Sequence, residues 1–386
     1  MSSATVVRAR GGRGLRWRRA TGSLRLAVVT AVAAGVLVAP STSAQDLRPA
    51  AAAADGRRQI ESGFSPSDLL WADRAEVIRS LDFMQSIGSR WLRVPIAWSA
   101  IENTPGARSW AQTDLIVSEA RARGISVLGV IHSTPAWAAV GGQAHSGMPT
   151  SPALFGQFAG DVAARYRGKV AALEIWNEPN GAAAFVPMSP APYVSLLKAA
   201  YPRIKAAAPG ITVIGGAVGA VVDSAATYDA VRFVGGMYAS GAKGYFDALS
   251  YHPYQYEMRF SDGIGQANTP VEQVVAIRRS MLANGDSAKR IWATEYGVPT
   301  SVQSETSQAA MIHDFHTAWA ALPYTGPSML YTLRDRQTGS SHPEDTFGVI
   351  TSSWTFKMSA YQVYSDFLNG VEDNAGTRQW AQHATP

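Results

Sequence analysis

From about Ile60 onward, short apolar, β-branched stretches alternate with longer amphipathic ones. The short runs fall at 59–64, 91–96, 126–131, 170–176, 212–216, 246–251, 290–295 and 328–332. None alternates polar with apolar residues. Each reads as a strand buried on both faces, as in a parallel sheet covered by helices. The longer stretches predict helices over 72–87, 113–122, 152–166, 190–208, 227–239, 270–283 and 306–320, with an eighth near 359–369. Gly88, Gly124 and Gly168 stand where helix C-caps belong. Eight strands alternating with eight helices predict an α/β fold, a (β/α)8 TIM barrel. A doubly wound open sheet is the alternative. Against it, no glycine-rich phosphate loop follows any strand, and polar residues gather at the C-terminal strand ends, the active-site face of a barrel.

The first 44 residues break this rhythm. They carry seven arginines (Arg8, Arg10, Arg13, Arg16, Arg18, Arg19 and Arg25), no acidic residue, an apolar run over 26–39, and the small residues Thr42, Ser43 and Ala44. A basic start, a short apolar stretch and a small-residue exit predict a secretory signal peptide over 1–44. An uncleaved membrane anchor is the competing reading, but the run is shorter than the roughly 20 residues of a span. Arg18-Arg19 hints at twin-arginine export, although the residues after it fit that signal poorly. Residues 45–58 read as a flexible lead-in and 59–386 as one catalytic domain.

This leader changes the meaning of the charge. The whole chain has 34 Lys and Arg against 29 Asp and Glu, a net of +5. Without the seven leader arginines the net is −2, so the electrostatic case for nucleic acid disappears. There is no cysteine, which excludes disulfides, thiolate catalysis and Cys-ligated zinc. The seven histidines show no close metal-ligand spacing such as HExxH, so neither metal nor cofactor is expected.

Candidate chemistry sits where apolar strands turn polar. In Leu173-Glu174-Ile175-Trp176-Asn177-Glu178-Pro179-Asn180, Pro179 ends strand pairing and puts Glu178 at the barrel rim. Beside a tryptophan ring its charged form is expected to be disfavoured, as suits a general acid. Asn177 next to it can hydrogen-bond a sugar hydroxyl. In Arg290-Ile291-Trp292-Ala293-Thr294-Glu295-Tyr296-Gly297 a second strand ends in a carboxylate. On the fourth and seventh of eight strands, Glu178 and Glu295 face one rim, where their carboxyls can approach the ~5 Å of a double-displacement pair.

WNEPN on the fourth strand and WATEYG on the seventh resemble the clan-A retaining glycoside hydrolases, with the cellulase-like families 5 and 39 nearest, and the likeness runs from Arg93 to Tyr361. The resemblance implies that Glu178 protonates the leaving oxygen and then deprotonates water, that Glu295 forms the glycosyl-enzyme bond, and that Asn177 holds the sugar 2-hydroxyl. Arg93, in WLRVPIAW, matches the arginine beneath the nucleophile, where a cation would keep Glu295 ionised. His132, in GVIHSTPAW, is expected to line the pocket and position substrate. His252 and Tyr254, in SYHPY, end the sixth strand and are expected to meet substrate; Tyr254 is the candidate hydroxyl near the nucleophile and Tyr251 reads as core. Trp98, Trp137 and Trp176, on or just after strand ends, are candidates to stack on sugar faces, with packing as the competing role. Glu174 lies deeper and reads as a hydrogen-bonded interior residue. These families often carry a tryptophan after the eighth strand; here Tyr331, in MLYTLRD, takes that place.

The sequence thus predicts a secreted O-glycosyl hydrolase cleaving β bonds of a poly- or oligosaccharide, active as a monomer without a membrane span. A transglycosylase using the same glutamates, or a catalytically silent carbohydrate-binding barrel, would share these features.

Overall fold

The computed structural model describes residues 56–386. The expected signal peptide and most of the lead-in lie outside them. Eight parallel strands close into a barrel, each paired with the next in sequence and the last with the first. In chain order they are β1 (Ser62–Phe64), β2 (Trp91–Ala97), β3 (Ser126–His132), β4 (Ala172–Ile175), β5 (Thr212–Gly219), β6 (Ala248–His252), β7 (Ile291–Tyr296) and β8 (Thr325–Leu330). The helices between and after them are α1 (Arg74–Ser86), α2 (Ala111–Ala122), α3 (Pro152–Arg165), α4 (Pro190–Ala207), α5 (Ala230–Ala239), α6 (Pro270–Ala283), α7 (Glu305–Ala321) and α8 (Met358–Asn369). The predicted (β/α)8 order is the observed one.

The helix starts follow local chemistry. Asp73, Asp229 and Ser304 accept hydrogen bonds from first-turn backbone amides of α1, α5 and α7. Prolines open α3, α4 and α6, where a missing N–H costs nothing. β8 starts three residues earlier than the pattern suggested and ends two earlier, because its Gly326 and Pro327 read as turn residues. Gly326 is there for space: a Cβ would come within 2.7 Å of the Trp292 ring. Two further short helices, Trp98–Ile101 and Ala375–His383, escaped the pattern. Arg57–Arg58, placed at the end of the lead-in, pair antiparallel with Val371–Glu372.

Apolar side chains fill two spaces. One core lies between strands and helices; a second, inside the barrel, joins Trp91, Leu128, Ala172, Ile214, Ala248, Trp292 and Met329. Two residues further along β2, β4, β6 and β7 come Arg93, Glu174, Ser250 and Thr294, all buried. Period-two alternation puts them one layer above the apolar plug.

Candidate active site

β4 stops at Ile175, and the next residues turn sharply. Trp176 and Glu178 take left-handed backbone conformations, with φ of 71° and 43°. Such angles are costly for non-glycine residues and persist only where the surroundings enforce them. Here the Trp176 amide donates to the Ile131 carbonyl at 2.8 Å and the Glu178 amide to the Ala217 carbonyl at 3.0 Å. The Trp176 ring, buried beside Phe155 and Phe185, donates its Nε1–H to the Ala184 carbonyl at 2.9 Å. Asn180 clamps the loop to β5, donating to the Gly219 carbonyl at 3.0 Å and accepting from the Gly219 amide at 2.9 Å.

On the opposite wall, β7 is irregular: Ala293 pairs with Ser328, yet Tyr296, three residues on, pairs with Leu330. The extra residue of this bulge breaks strict alternation. Thr294 and Glu295, neighbours in sequence, therefore both turn inward, and Tyr296 faces out to stack on Phe315 at 3.9 Å.

Arg93 is the hub between these walls. Its Nε donates to Glu174 Oε2 at 2.7 Å, its Nη2 to Asn177 Oδ1 at 2.6 Å, and its Nη1 to Ser65 Oγ at 3.2 Å and to Glu295 Oε1. Burial alone would lower its pKa, but the charges of Glu174 and Glu295 outweigh that and raise it. Tyr254 donates its hydroxyl to Glu295 Oε2 at 2.7 Å. Burial, then the Glu295 charge, pushes this phenol far up, so it stays a neutral donor. Glu178 Oε1 lies 2.9 Å from His252 Nδ1, which is 3.7 Å from Glu295 Oε2. One atom each of Glu178, His252 and Glu295 falls within 4.8 Å of the others. Glu178 and His252 bond each other, and Glu295 accepts from Arg93 and Tyr254.

Above this network lies a cavity of about 380 Å³ lined by Arg93, His132, Asn177, Glu178, Tyr254, Glu295 and Tyr331. Burial, then the Arg93 charge, lowers the His132 pKa to about 4, so its imidazole is neutral near pH 7. Tyr331 forms part of the wall, its hydroxyl tied to Glu344 at 2.9 Å and to Arg336 at 3.1 Å.

Four expectations need correction. Trp176 is 1% exposed and anchors the turn instead of meeting sugar. Trp98 is 1% exposed and packs in the core. Trp137 does not line the cavity; its ring sits edge-on to Trp98 at 5.5 Å and its Nε1–H donates to the Glu102 carbonyl at 2.8 Å. His252 is fully buried and acts from behind, on Glu178. The charge state of Glu178 also reverses the expectation. Burial raises its pKa, but the His252 hydrogen bond and charge, then the Arg93 charge, outweigh burial and leave it below the ordinary range. The desolvating ring foreseen beside it, Trp176, points away.

Several cavity residues were not foreseen. Tyr256 continues the alternate-residue rhythm of His252 and Tyr254, a signal the sequence did offer. Glu344 and Phe347 also line the cavity but come from the irregular loop after β8, where no periodicity marks an inward residue. Beneath the cavity, Thr294, hydrogen-bonded to His252 and Glu174, lies in the inward register of Trp292, a signal the sequence also offered.

A closed eight-stranded barrel with this carboxylate pair across one rim places the protein among the clan-A-like glycoside hydrolases. More narrowly, a model of the cellulase family, glycosyl hydrolase family 5, matches residues 54–322, and the chain belongs to that family. Among solved structures, a family 39 glycoside hydrolase from Bacteroides cellulosilyticus aligns with TM-score 0.66 at 20% identity, over 82% of this chain and 65% of that one. The present chain thus spans just under two thirds of that relative's length. GH5_18 from Streptomyces cattleya, a protein solved with Manb1-4GlcNAc, aligns with TM-score 0.63 at 13% identity over 80% of each chain. A monomeric β-xylosidase from Caulobacter crescentus aligns with TM-score 0.60 at 19% identity, over 84% of this chain and 70% of that one. No curated protein matches the chain.

Proposed function

We propose that the protein is an exported retaining glycoside hydrolase that cleaves β-linked poly- or oligosaccharides by double displacement. The observation that carries this reading is the carboxylate pair: oxygens of Glu178 and Glu295 lie within 4.8 Å of each other across the cavity. Carboxyl groups about 5–5.5 Å apart leave no room for a water between sugar and carboxylate, so one of them attacks the anomeric carbon itself. Glu295 is that nucleophile. Arg93 and Tyr254 each hold one of its oxygens and aim it at the cavity. Among the described residues no arginine or lysine bonds Glu178, whose partner is His252 behind it. It hands a proton to the leaving oxygen, then takes one from the water that releases the sugar from Glu295. Asn177, held by Arg93, and neutral His132 are placed to bond sugar hydroxyls. The membership in family 5 and the β-xylosidase among its structural relatives support a β-linked substrate.

The reading is tested by trapping. A 2-fluoro glycoside with a good leaving group is expected to label Glu295 alone, and NMR of the first-formed product is expected to show the substrate's anomeric configuration. Inversion, or a label on Glu174, would overturn the mechanism. Export is read separately, from a mature N-terminus near Gln45 in the culture medium. Recovery of only the intact chain in washed membranes would favour the anchor. Among the described residues no helix is long and apolar enough to cross a membrane.

A further inference from the structure

Behind the carboxylate pair runs a chain of hydrogen bonds whose direction is fixed by chemistry. Glu174 Oε1 accepts from the Thr294 hydroxyl at 2.8 Å. The Glu174 carboxylate, salt-bridged to Arg93, has only acceptors to offer. Thr294 therefore spends its one proton on Glu174 and meets His252 with a lone pair. Thr294 Oγ1 lies 3.0 Å from His252 Nε2, so Nε2 must carry a proton to bond it. Whatever His252 gains or loses, it gains or loses at Nδ1, and Nδ1 faces Glu178 Oε1 at 2.9 Å.

We infer that Glu178 and His252 share one proton, and that Thr294, braced by Glu174, holds His252 in the tautomer that makes this sharing possible. Two states exist, both with Nε2–H on Thr294. In one, imidazolium Nδ1–H donates to the Glu178 carboxylate. In the other, the carboxylic acid of Glu178 donates to the bare Nδ1. Passing between them breaks the Nδ1–H bond and forms an O–H bond on Glu178, with no other partner needed. The leaving sugar oxygen then takes that proton, and the later attack of water returns one to Glu178, from which it can pass back to Nδ1. His252 is thus a proton reservoir one hydrogen bond from the acid/base, and Thr294 is a positioning residue that never touches substrate. This also accounts for a resting Glu178 that is charged while its task is to donate.

The groups facing the pair are few. Glu178 comes from the end of β4, Glu295 and Thr294 from β7, and Tyr254 and Tyr256 follow β6, with Tyr256 feeling the Glu178 charge. β5 brings Gly219, where a Cβ would lie 3.2 Å from Glu178 Oε1, and no charged side chain among the described residues. Arg93 and Glu174 act on Glu178 through their charges.

The inference rests on the glycosidase reading for its catalytic part, but its first test needs no activity. ¹⁵N NMR of the His252 ring in the full protein is expected to show Nε2 protonated across the titration and only Nδ1 changing. In Thr294→Val the neutral ring is expected to switch its proton to Nδ1, since Nε2–H would lose its buried acceptor. The switched ring donates to the Glu178 carboxylate and withdraws the shared proton. The basic limb of kcat/KM on substrates with sugar leaving groups is therefore expected to fall by about one pH unit, the worth of one buried hydrogen bond. Dinitrophenyl glycosides, whose leaving group needs no proton, should be little changed, and Thr294→Ser should restore the wild-type limb. Thr294→Ala serves if the valine variant does not fold. A wild-type ring protonated at Nδ1 when neutral would overturn the inference. So would a Thr294→Val enzyme slowed equally at every pH and with every leaving group. If the wild type cleaves no glycoside, the proposed function falls, and the NMR tautomer still decides the hydrogen-bond argument.

Discussion

The two ends of the barrel are made from the same strands and do opposite things. At the N-terminal end the interior is an apolar plug, with Trp91 and Trp292 edge to face at 5.1 Å. Two residues further along the same strands it becomes Arg93, Glu174 and Thr294, and beyond them come Glu178 and Glu295. A crevice at the lower end, lined by Arg58, Arg290, His316 and Trp319, measures about 90 Å³ and faces no carboxylate pair like that of the upper cavity, at about 380 Å³. The lower end gains from burying rings, a non-directional effect that tolerates any close packing. The upper end buries charge, which is tolerable only when every donor meets an acceptor. The difference teaches where substitutions should cost activity and where they should cost stability.

The largest effect should come from the upper end. Glu295→Ala is expected to lower kcat by about 10⁴-fold or more while the unfolding midpoint moves little. Glu178→Ala should be comparably slow on sugar leaving groups and be rescued by azide with retained configuration. Near-wild-type rates in either variant would dissolve the comparison. Next in size is the plug. Trp292→Ala should cost about 3–5 kcal/mol of stability, because the cavity beneath Gly326 cannot collapse onto it. Its kcat per folded molecule should stay close to wild type. A loss of activity without a loss of stability would show that the plug sets the geometry above it.

How much of this was legible depended on which rule governed each residue. The order of strands and helices was legible because period and length carry it, and the carboxylates were legible because apolar runs broke into Glu at Glu178 and Glu295. The misreadings have local causes that periodicity does not carry. Trp176 and Trp137 were candidates for stacking on sugar, with packing as the alternative, because they follow strands; the left-handed backbone at Trp176 swings its ring into the core, and Trp137 finds a carbonyl partner outside the cavity. Thr294 was passed over although period two from Trp292 turns it inward; the bulge, invisible in the sequence, is what brings Glu295 in beside it. Glu344 and Phe347 come from a loop without periodicity, where only the folded chain brings them to the wall.

A smaller effect separates orientation from attack at the upper end. Tyr254→Phe removes one of the two donors that hold Glu295. Loss of a single such donor is expected to slow kcat by about 10²–10³-fold. KM should change far less, since the hydroxyl is spent on Glu295. A variant with raised KM and unchanged kcat would mean that Tyr254 binds sugar and leaves the nucleophile to Arg93 alone.

The smallest effect belongs to charges on the barrel's outer wall, which have no cavity to serve. His313 on α7 bonds Asp366 at 2.8 Å and Glu372 at 3.0 Å, and His316 bonds the other oxygen of Asp366 at 2.7 Å. The Asp366 bond, opposed by burial and helped by the Asp366 and Glu372 charges, raises the His313 pKa. Burial raises the Asp366 carboxyl, but hydrogen bonds from His313 and His316 outweigh it and leave it low. The signs then fix a window. A raised histidine contributes fully below its unfolded pKa of about 6.5 and loses that contribution as pH rises through its folded value. A depressed aspartate contributes fully above about 3.9 and loses it as pH falls. Both contributions are complete only between those limits. His313→Gln should therefore lower Tm most near pH 5–6, by roughly 1–2 °C because the ring is partly exposed, and the gap should narrow above pH 7. Activity at pH 6 should be unchanged, since nothing in this cluster reaches the upper rim. A Tm gap that stays flat from pH 5 to 8 would show that His313 acts here by packing and not by charge.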